Sequence, residues 1–108
     1  MNYIWQQKVG TKSGKKRVTI WNLKLIEAGF NFGQGIKIET LTSQDGYTIQ
    51  LTPCDDSKRK ILKVMNHGKA LPVVEFTGGI LDPFTEGDKV TIEVKPNLIK
   101  IHQKPFKN

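Results

Sequence analysis

A segment that occurs twice constrains this chain more than any other feature. Phe30-Asn31-Phe32-Gly33-Gln34-Gly35-Ile36-Lys37-Ile38-Glu39 returns as Phe84-Thr85-Glu86-Gly87-Asp88-Lys89-Val90-Thr91-Ile92-Glu93. At one constant offset Phe30 lies over Phe84, Gly33 over Gly87, Ile36 over Val90, Ile38 over Ile92 and Glu39 over Glu93. Each copy reads as an aromatic anchor, a glycine turn and an alternating strand. Upstream, Leu25-Ile26-Glu27 lies over Gly79-Ile80-Leu81. Downstream, after a shorter second turn, Tyr47-Thr48-Ile49-Gln50-Leu51 lies over Asn97-Leu98-Ile99-Lys100-Ile101. An internal repeat decides an architecture before any single motif does. It predicts one domain over residues 1–108, with repeats at 18–53 and 72–103.

The charge follows the same division. The chain carries 17 Lys and Arg against 10 Asp and Glu, a formal net charge of +7. Residues 1–24 hold Lys8, Lys12, Lys15, Lys16, Arg17 and Lys24 without an acid. Residues 58–69 hold Lys58, Arg59, Lys60, Lys63 and Lys69, again without one, and the remainder is net acidic. Basic side chains are thus collected just ahead of each repeat, where a polyanion is the natural partner. The competing reading is a pair of solvated basic loops.

The pattern along the chain is that of short strands. Residues 3–9 are rich in strand formers. Gly10-Thr11-Lys12-Ser13-Gly14-Lys15-Lys16 has no large apolar residue and is expected to be a mobile hairpin loop. Its glycines are four apart rather than the five of a phosphate-binding loop, and no Lys-Ser/Thr pair follows, which argues against nucleotide hydrolysis. Residues 17–21 resume a strand, residues 23–28 have helical composition, and Gly29 suits a helix C-terminus. A hairpin follows from strands 36–41 and 47–52, turned at Ser43-Gln44-Asp45-Gly46 by the Asp-Gly signal. Residues 60–65 and 71–76 read as a second basic hairpin turned at Asn66-His67-Gly68-Lys69, in preference to a helix capped by Asp55 or Asp56. Asp82-Pro83 limits any helix there to one turn. Strands 90–94 and 98–102 close the second repeat, and the tail from Gln103 to Asn108 is expected to fray.

The chemistry-bearing residues are few. His67, His102 and the single Cys54 form no close ligand set for a metal. Asp55 and Asp56 beside Cys54 would raise its pKa, the opposite of what a thiolate nucleophile needs. No carboxylate pair has a motif around it, so neither catalytic nor metal-binding residues nor a cofactor are expected. Trp5, Trp21 and Tyr3, near the first basic loop, have the side chains to stack on unpaired bases, although aromatics in strands more often belong to the core. No run is long enough to cross a membrane. The first eight residues lack the apolar stretch of a signal peptide, and a lone cysteine fits a reducing compartment, so the expected location is cytoplasmic. With 37% hydrophobic residues the core is small.

Leu25-Ile26-Glu27-Ala28-Gly29-Phe30, then Gly33, Ile36, Ile38 and the hairpin to Ile49 and Leu51, resemble the SymE-type toxin domains within the AbrB/MazE group of swapped-hairpin barrels. The first repeat carries the resemblance well. The second keeps the phenylalanine, the glycine and the hairpin but replaces the helix with Gly-Ile-Leu-Asp-Pro. The resemblance implies a mainly β fold, a small barrel of two interleaved strand–short helix–hairpin units. The basic β-hairpin expected before each unit is read from the residues and is not part of the family pattern. It also implies nucleic-acid binding by a regulator or toxin-related module.

The expectation is therefore a small non-enzymatic nucleic-acid-binding protein, with DNA ranked ahead of RNA. It is either a monomer with pseudo-two-fold repeats or a homodimer. Lys12, Lys15, Lys16, Arg17, Lys24, Lys58, Arg59, Lys60 and Lys63 are the candidate phosphate contacts, which supply affinity without reading sequence. The alternative is a protein-binding inhibitor or assembly factor, of phage or mobile-element kind, whose basic loops dock on an acidic partner such as a nuclease. A ribonuclease activity ranks last for want of an acid–base pair.

Overall fold

In the computed structural model, which describes residues 2–44 and 46–103, alternating β-branched segments form antiparallel strands in two sheets. The strands are β1 (Tyr3–Lys8), β2 (Gly10–Lys12), β3 (Lys15–Trp21), β4 (Ile36–Ser43), β5 (Gly46–Pro53), β6 (Leu62–Asn66), β7 (Lys69–Thr77), β8 (Lys89–Lys95) and β9 (Leu98–Gln103). A single helical turn, α1 (Lys24–Glu27), joins β3 to β4, and a 3₁₀ turn at Gly78–Leu81 joins β7 to β8. One sheet runs β1-β8-β9-β5-β4 and the other β2-β3-β7-β6. The mainly β expectation holds. Among the described residues no continuous ladder closes the sheets into a barrel.

The inward positions of both sheets meet in one core. Val18 and Ile20 from β3, Val74 and Phe76 from β7, Ile49 and Leu51 from β5, and Ile92, Val94, Ile99 and Ile101 from β8 and β9 are all buried in it. Phe30 and Phe84, the aromatic anchors, are both fully buried, and Gly33 and Gly87 both turn with positive φ, 76° and 84°. α1 ends as its sequence suggests. The Phe30 N–H donates to the Leu25 carbonyl and the Gly29 N–H to the Ile26 carbonyl, with Gly29 at φ 98°. Leu25 and Phe30, the two positions whose apolar side chains accompany such a C-terminus, are both fully buried in the core.

The sheets meet at two seams built alike. The Val9 N–H donates to the Asp88 carbonyl and the Gly87 N–H to the Val9 carbonyl, each at 2.9 Å. At the other seam the Ile61 N–H donates to the Gln34 carbonyl and the Gly33 N–H to the Ile61 carbonyl, also at 2.9 Å. At the first seam the chain bends at buried Val9, leaving β1 in one sheet and β2 in the other. At the second, an isolated bridge joins Gly35 to Lys60 before β6 begins. These bends interrupt the ladders and keep the sheets separate. The pairing registers are reciprocal as well. Ile20 pairs with Val74, its counterpart at the repeat offset, and Gln50 pairs with Lys100, its counterpart in the shortened second hairpin.

Two sequence expectations change. The first basic hairpin is present, but residues 10–16 are its paired tip rather than a mobile loop: Gly10, Thr11 and Lys12 pair with Arg17, Lys16 and Lys15. Ser13 and Gly14 both take positive φ, 53° and 79°, the two-residue turn whose twist matches a hairpin. His67 and Gly68 repeat that geometry between β6 and β7, at φ 51° and 77°. Gln103, expected in a frayed tail, is the last residue of β9 and pairs with Val90 of β8. The expected Asp45 turn residue and residues 104–108 of the tail lie outside the described residues.

Candidate nucleic-acid interface

Strand alternation places the basic side chains. On β3 the buried Val18 and Ile20 face the core, so Lys15, Arg17, Thr19 and Trp21 share the outer face. Lys12 pairs with Lys15 across the hairpin and joins that face. One end of the sheet thus presents Lys12, Lys15 and Arg17 around the Ser13-Gly14 turn. Glu75, on the neighbouring β7, lies midway along the face. Its Oε1 is 3.5 Å from Lys12 Nζ, an exposed ion pair worth at most about 1 kcal/mol.

The other candidates separate. Lys16 has opposite parity, and its Nζ donates to the Asp82 carbonyl at 3.0 Å. Lys58 and Lys60 are exposed in the linker before β6, and Lys63 is exposed on β6 opposite Pro72. Arg59 is committed to the fold: its Nη2 donates to the Glu75 carbonyl, and its guanidinium lies 5.4 Å from the centre of the Phe76 ring. β6 begins only at Leu62, opposite Val73, so Arg59 supplies the donor that a longer β6 would have given Glu75. Lys58-Arg59-Lys60 is therefore not the counterpart of Lys15-Lys16-Arg17. The residue after the second hairpin turn, in the place of Lys15, is Lys69.

Lys24 lies elsewhere, with Nζ 4.0 Å from the centre of the Tyr3 ring. The Tyr3 hydroxyl donates to Glu27 Oε2 at 2.7 Å, and that bond, with burial and the carboxylate charge behind it, raises the phenol pKa. Tyr3, Trp5, Trp21 and Lys24 line one cleft of about 580 Å³ between the N-terminal part of β1 and the end of β3. Both tryptophans of the chain are in it. Tyr3 and Trp5 also pack against the core, whereas Trp21 is 50% exposed. The core reading of the aromatics holds for the first two and fails for Trp21. The sequence signal for this was its parity: Trp21 is an even number of residues from Lys15 and Arg17.

One grouping had no signal within any single segment. The ladders align Trp21, Val73 and Leu62 in a row across β3, β7 and β6 on the outer face, with Val64 one step further along β6. Leu62 is 58% exposed and Val64 is 40% exposed. The row exists only once three distant strands are paired.

Elsewhere the chemistry is sparse. Among the described residues no group of three or more His, Cys, Asp or Glu side chains is placed to hold a metal, and no helix is long and apolar enough to cross a membrane. His67 is in the exposed second hairpin turn, and Cys54 is half-buried in the linker. No protein-family model, curated protein or solved structure matches the chain.

Proposed function

We propose that this chain is a small non-enzymatic nucleic-acid-binding β protein, DNA ahead of RNA, that meets its ligand with the outer face of the β2–β3 hairpin. The observation that carries this reading is the line Lys15, Arg17, Thr19 and Trp21 along β3, with Lys12 beside it. Cations at one end and an aromatic ring at the other suit a phosphodiester chain and its bases. The reciprocal seams and registers support two interleaved copies of one unit within a single chain, arranged as in the AbrB/SymE-type group. On that reading the protein is a monomer with a pseudo-two-fold axis, acting in the cytoplasm as a regulator or toxin-related module.

Replacing Lys12, Lys15 and Arg17 together with Gln tests the assignment. Polarisation of labelled duplex DNA, single-stranded DNA and RNA at several salt concentrations should show weaker binding. The logarithmic salt slope should be shallower by roughly 2 to 3 for duplex. Unchanged affinity and slope would remove the hairpin from the interface.

A second reading has its own observation. Exposed Trp21 and Leu62, aligned through buried Val73 on the face whose far end carries the basic hairpin, also fit an acidic protein with an apolar centre. In that case the chain is an inhibitor or assembly factor. A stoichiometric complex that survives nuclease treatment and is lost in Leu62→Asp, with no nucleic-acid binding at low salt, would favour it.

A further inference from the structure

We propose that the cleft between Trp5 and Trp21 accepts an unpaired nucleobase, making the ligand a single strand or an unpaired segment rather than an uninterrupted duplex. This inference rests on the nucleic-acid reading above and deepens it. The cleft combines features that a base requires and a plain hydrophobic patch does not.

The first is a set of aromatic faces. Trp5 is held in place: its Nε1 donates to Gln7 Oε1 at 2.9 Å, and Gln7 Nε2 donates to the Thr19 carbonyl at 2.9 Å. A ring already fixed by hydrogen bonds loses little entropy when a base stacks on it. Trp21, half exposed at the other side, is accessible without opening the core. The second is polar function at the rim. Asn22 accepts the Lys24 backbone N–H through Oδ1 at 2.9 Å, which leaves its Nδ2 hydrogens to donate to a base carbonyl. The third is charge. Lys24 Nζ rests over Tyr3 at the cleft, where a phosphate next to the bound base would lie. The same face of β3 leads back through Thr19 to Arg17 and Lys15, about 20 Å away at the rise of a strand. A strand with one base in the cleft can thus lay its following phosphates along the outer face toward the basic hairpin, passing Glu75, whose charge Lys12 offsets. Base pairing withholds that base, because a duplex keeps its rings stacked inside the helix.

The test uses the intact protein and its own chromophores, since both tryptophans line the cleft. An oligothymidylate of about a dozen nucleotides and a mixed-sequence duplex of similar length are titrated at low salt, followed by tryptophan fluorescence and by polarisation of an end label. The expected result is saturable quenching by the single strand. Trp21→Ala should weaken single-strand binding about tenfold, within the range for one lost stacking contact, and change duplex binding less than twofold. Trp21→Phe should recover most of the loss. Trp21 is exposed enough for these variants to fold, and the Lys12/Lys15/Arg17→Gln protein provides the contrast, losing both ligands. Salt-sensitive binding of the single strand with no quenching, or an equal loss of both ligands in Trp21→Ala, would overturn the cleft assignment while leaving the nucleic-acid reading standing. No binding of either ligand at low salt would overturn both.

Discussion

Nε2 of His102 lies 2.7 Å from Oε1 of Glu93, across the ladder between β8 and β9. Lys95 Nζ is 3.6 Å from the other oxygen. The hydrogen bond from His102 is the main cause holding the Glu93 carboxyl below its ordinary value of 4.5, against the opposing effect of burial. A carboxyl with a lowered folded pKa stabilises the fold fully above its unfolded value, and loses that contribution as pH falls through the folded one. Glu93→Gln should therefore lower the urea midpoint at neutral pH, by the equivalent of about 1 kcal/mol for a partly exposed charge-assisted bond. The gap between variant and parent should close as pH is taken from about 5 to about 3. A gap that stays constant over that range would show that the pair contributes through packing and not through charge.

Gly33 and Gly35, two residues apart, are glycines for different reasons. Gly33 needs its positive φ of 76°, with open space around the missing Cβ. Gly35 needs the space: a Cβ there would overlap the Cys54 carbonyl oxygen and press on the Ser57 carbonyl oxygen at 3.3 Å. Gly33→Ala should cost about 1 kcal/mol, most of it recovered in Gly33→Asn, because Asn tolerates left-handed backbone. Gly35→Ala should cost about 1–3 kcal/mol, since both obstructing atoms are backbone, and Gly35→Asn should be no better. Thermal unfolding of the four variants checks the contrast. Equal rescue by Asn at both sites would refute it.

The local rules were legible where one segment determines its own shape. Phe30 and Phe84 are buried, Gly29 ends α1, and Ile36 starts a strand because aromatic burial, left-handed glycine and β-branched alternation are set within a few residues. In the first basic hairpin the length of the turn was not legible. Ser13-Gly14 holds two successive left-handed residues, which pairs the Lys-rich flanks and leaves a two-residue turn in place of a mobile loop. The basic clusters were misaligned because charge runs carry no register. Lys58 to Lys60 look equivalent to Lys15 to Arg17 along the chain, but pairing makes Lys69 the counterpart of Lys15. The aromatic cleft and the Trp21–Val73–Leu62 row depend on contacts between strands tens of residues apart, which composition and spacing do not specify.

The two anchor phenylalanines give a quantitative comparison of the halves. Phe30 and Phe84 are both buried, and truncation of either to Ala should cost about 3–5 kcal/mol, a large part of a small domain's stability. Phe84 has an extra partner in the Tyr47 ring, at 5.2 Å between centroids and 69° between planes. An edge-to-face pair adds roughly 0.5–1.5 kcal/mol beyond area. Phe84→Ala should therefore be the more costly by about that amount, and the difference should vanish in a Tyr47→Leu background. Urea unfolding of the single and double variants measures the coupling. A difference that persists without Tyr47 would locate the asymmetry elsewhere in the second half.

Arg59 and its neighbours separate charge that builds the fold from charge available to a ligand. The three side chains are consecutive, yet only Arg59 both donates to the otherwise unpaired edge of β7 at Glu75 and covers the Phe76 ring. Arg59→Ala should lower the unfolding free energy by about 1–2 kcal/mol, through a lost hydrogen bond from a charged donor and a lost cation–ring contact. Arg59→Lys should restore only part, because an ammonium lacks the planar fork that serves both partners at once. Lys58→Ala and Lys60→Ala remove exposed side chains and should leave stability within about 0.5 kcal/mol of the parent. If the linker contacts nucleic acid through Lys58 and Lys60, these two substitutions should weaken binding by similar factors on every sequence and reduce its salt slope. Arg59→Lys should leave affinity per folded molecule unchanged. Paired melting and salt-titration measurements on the same four proteins decide the division. Loss of affinity in Arg59→Lys without loss of stability would return Arg59 to the interface.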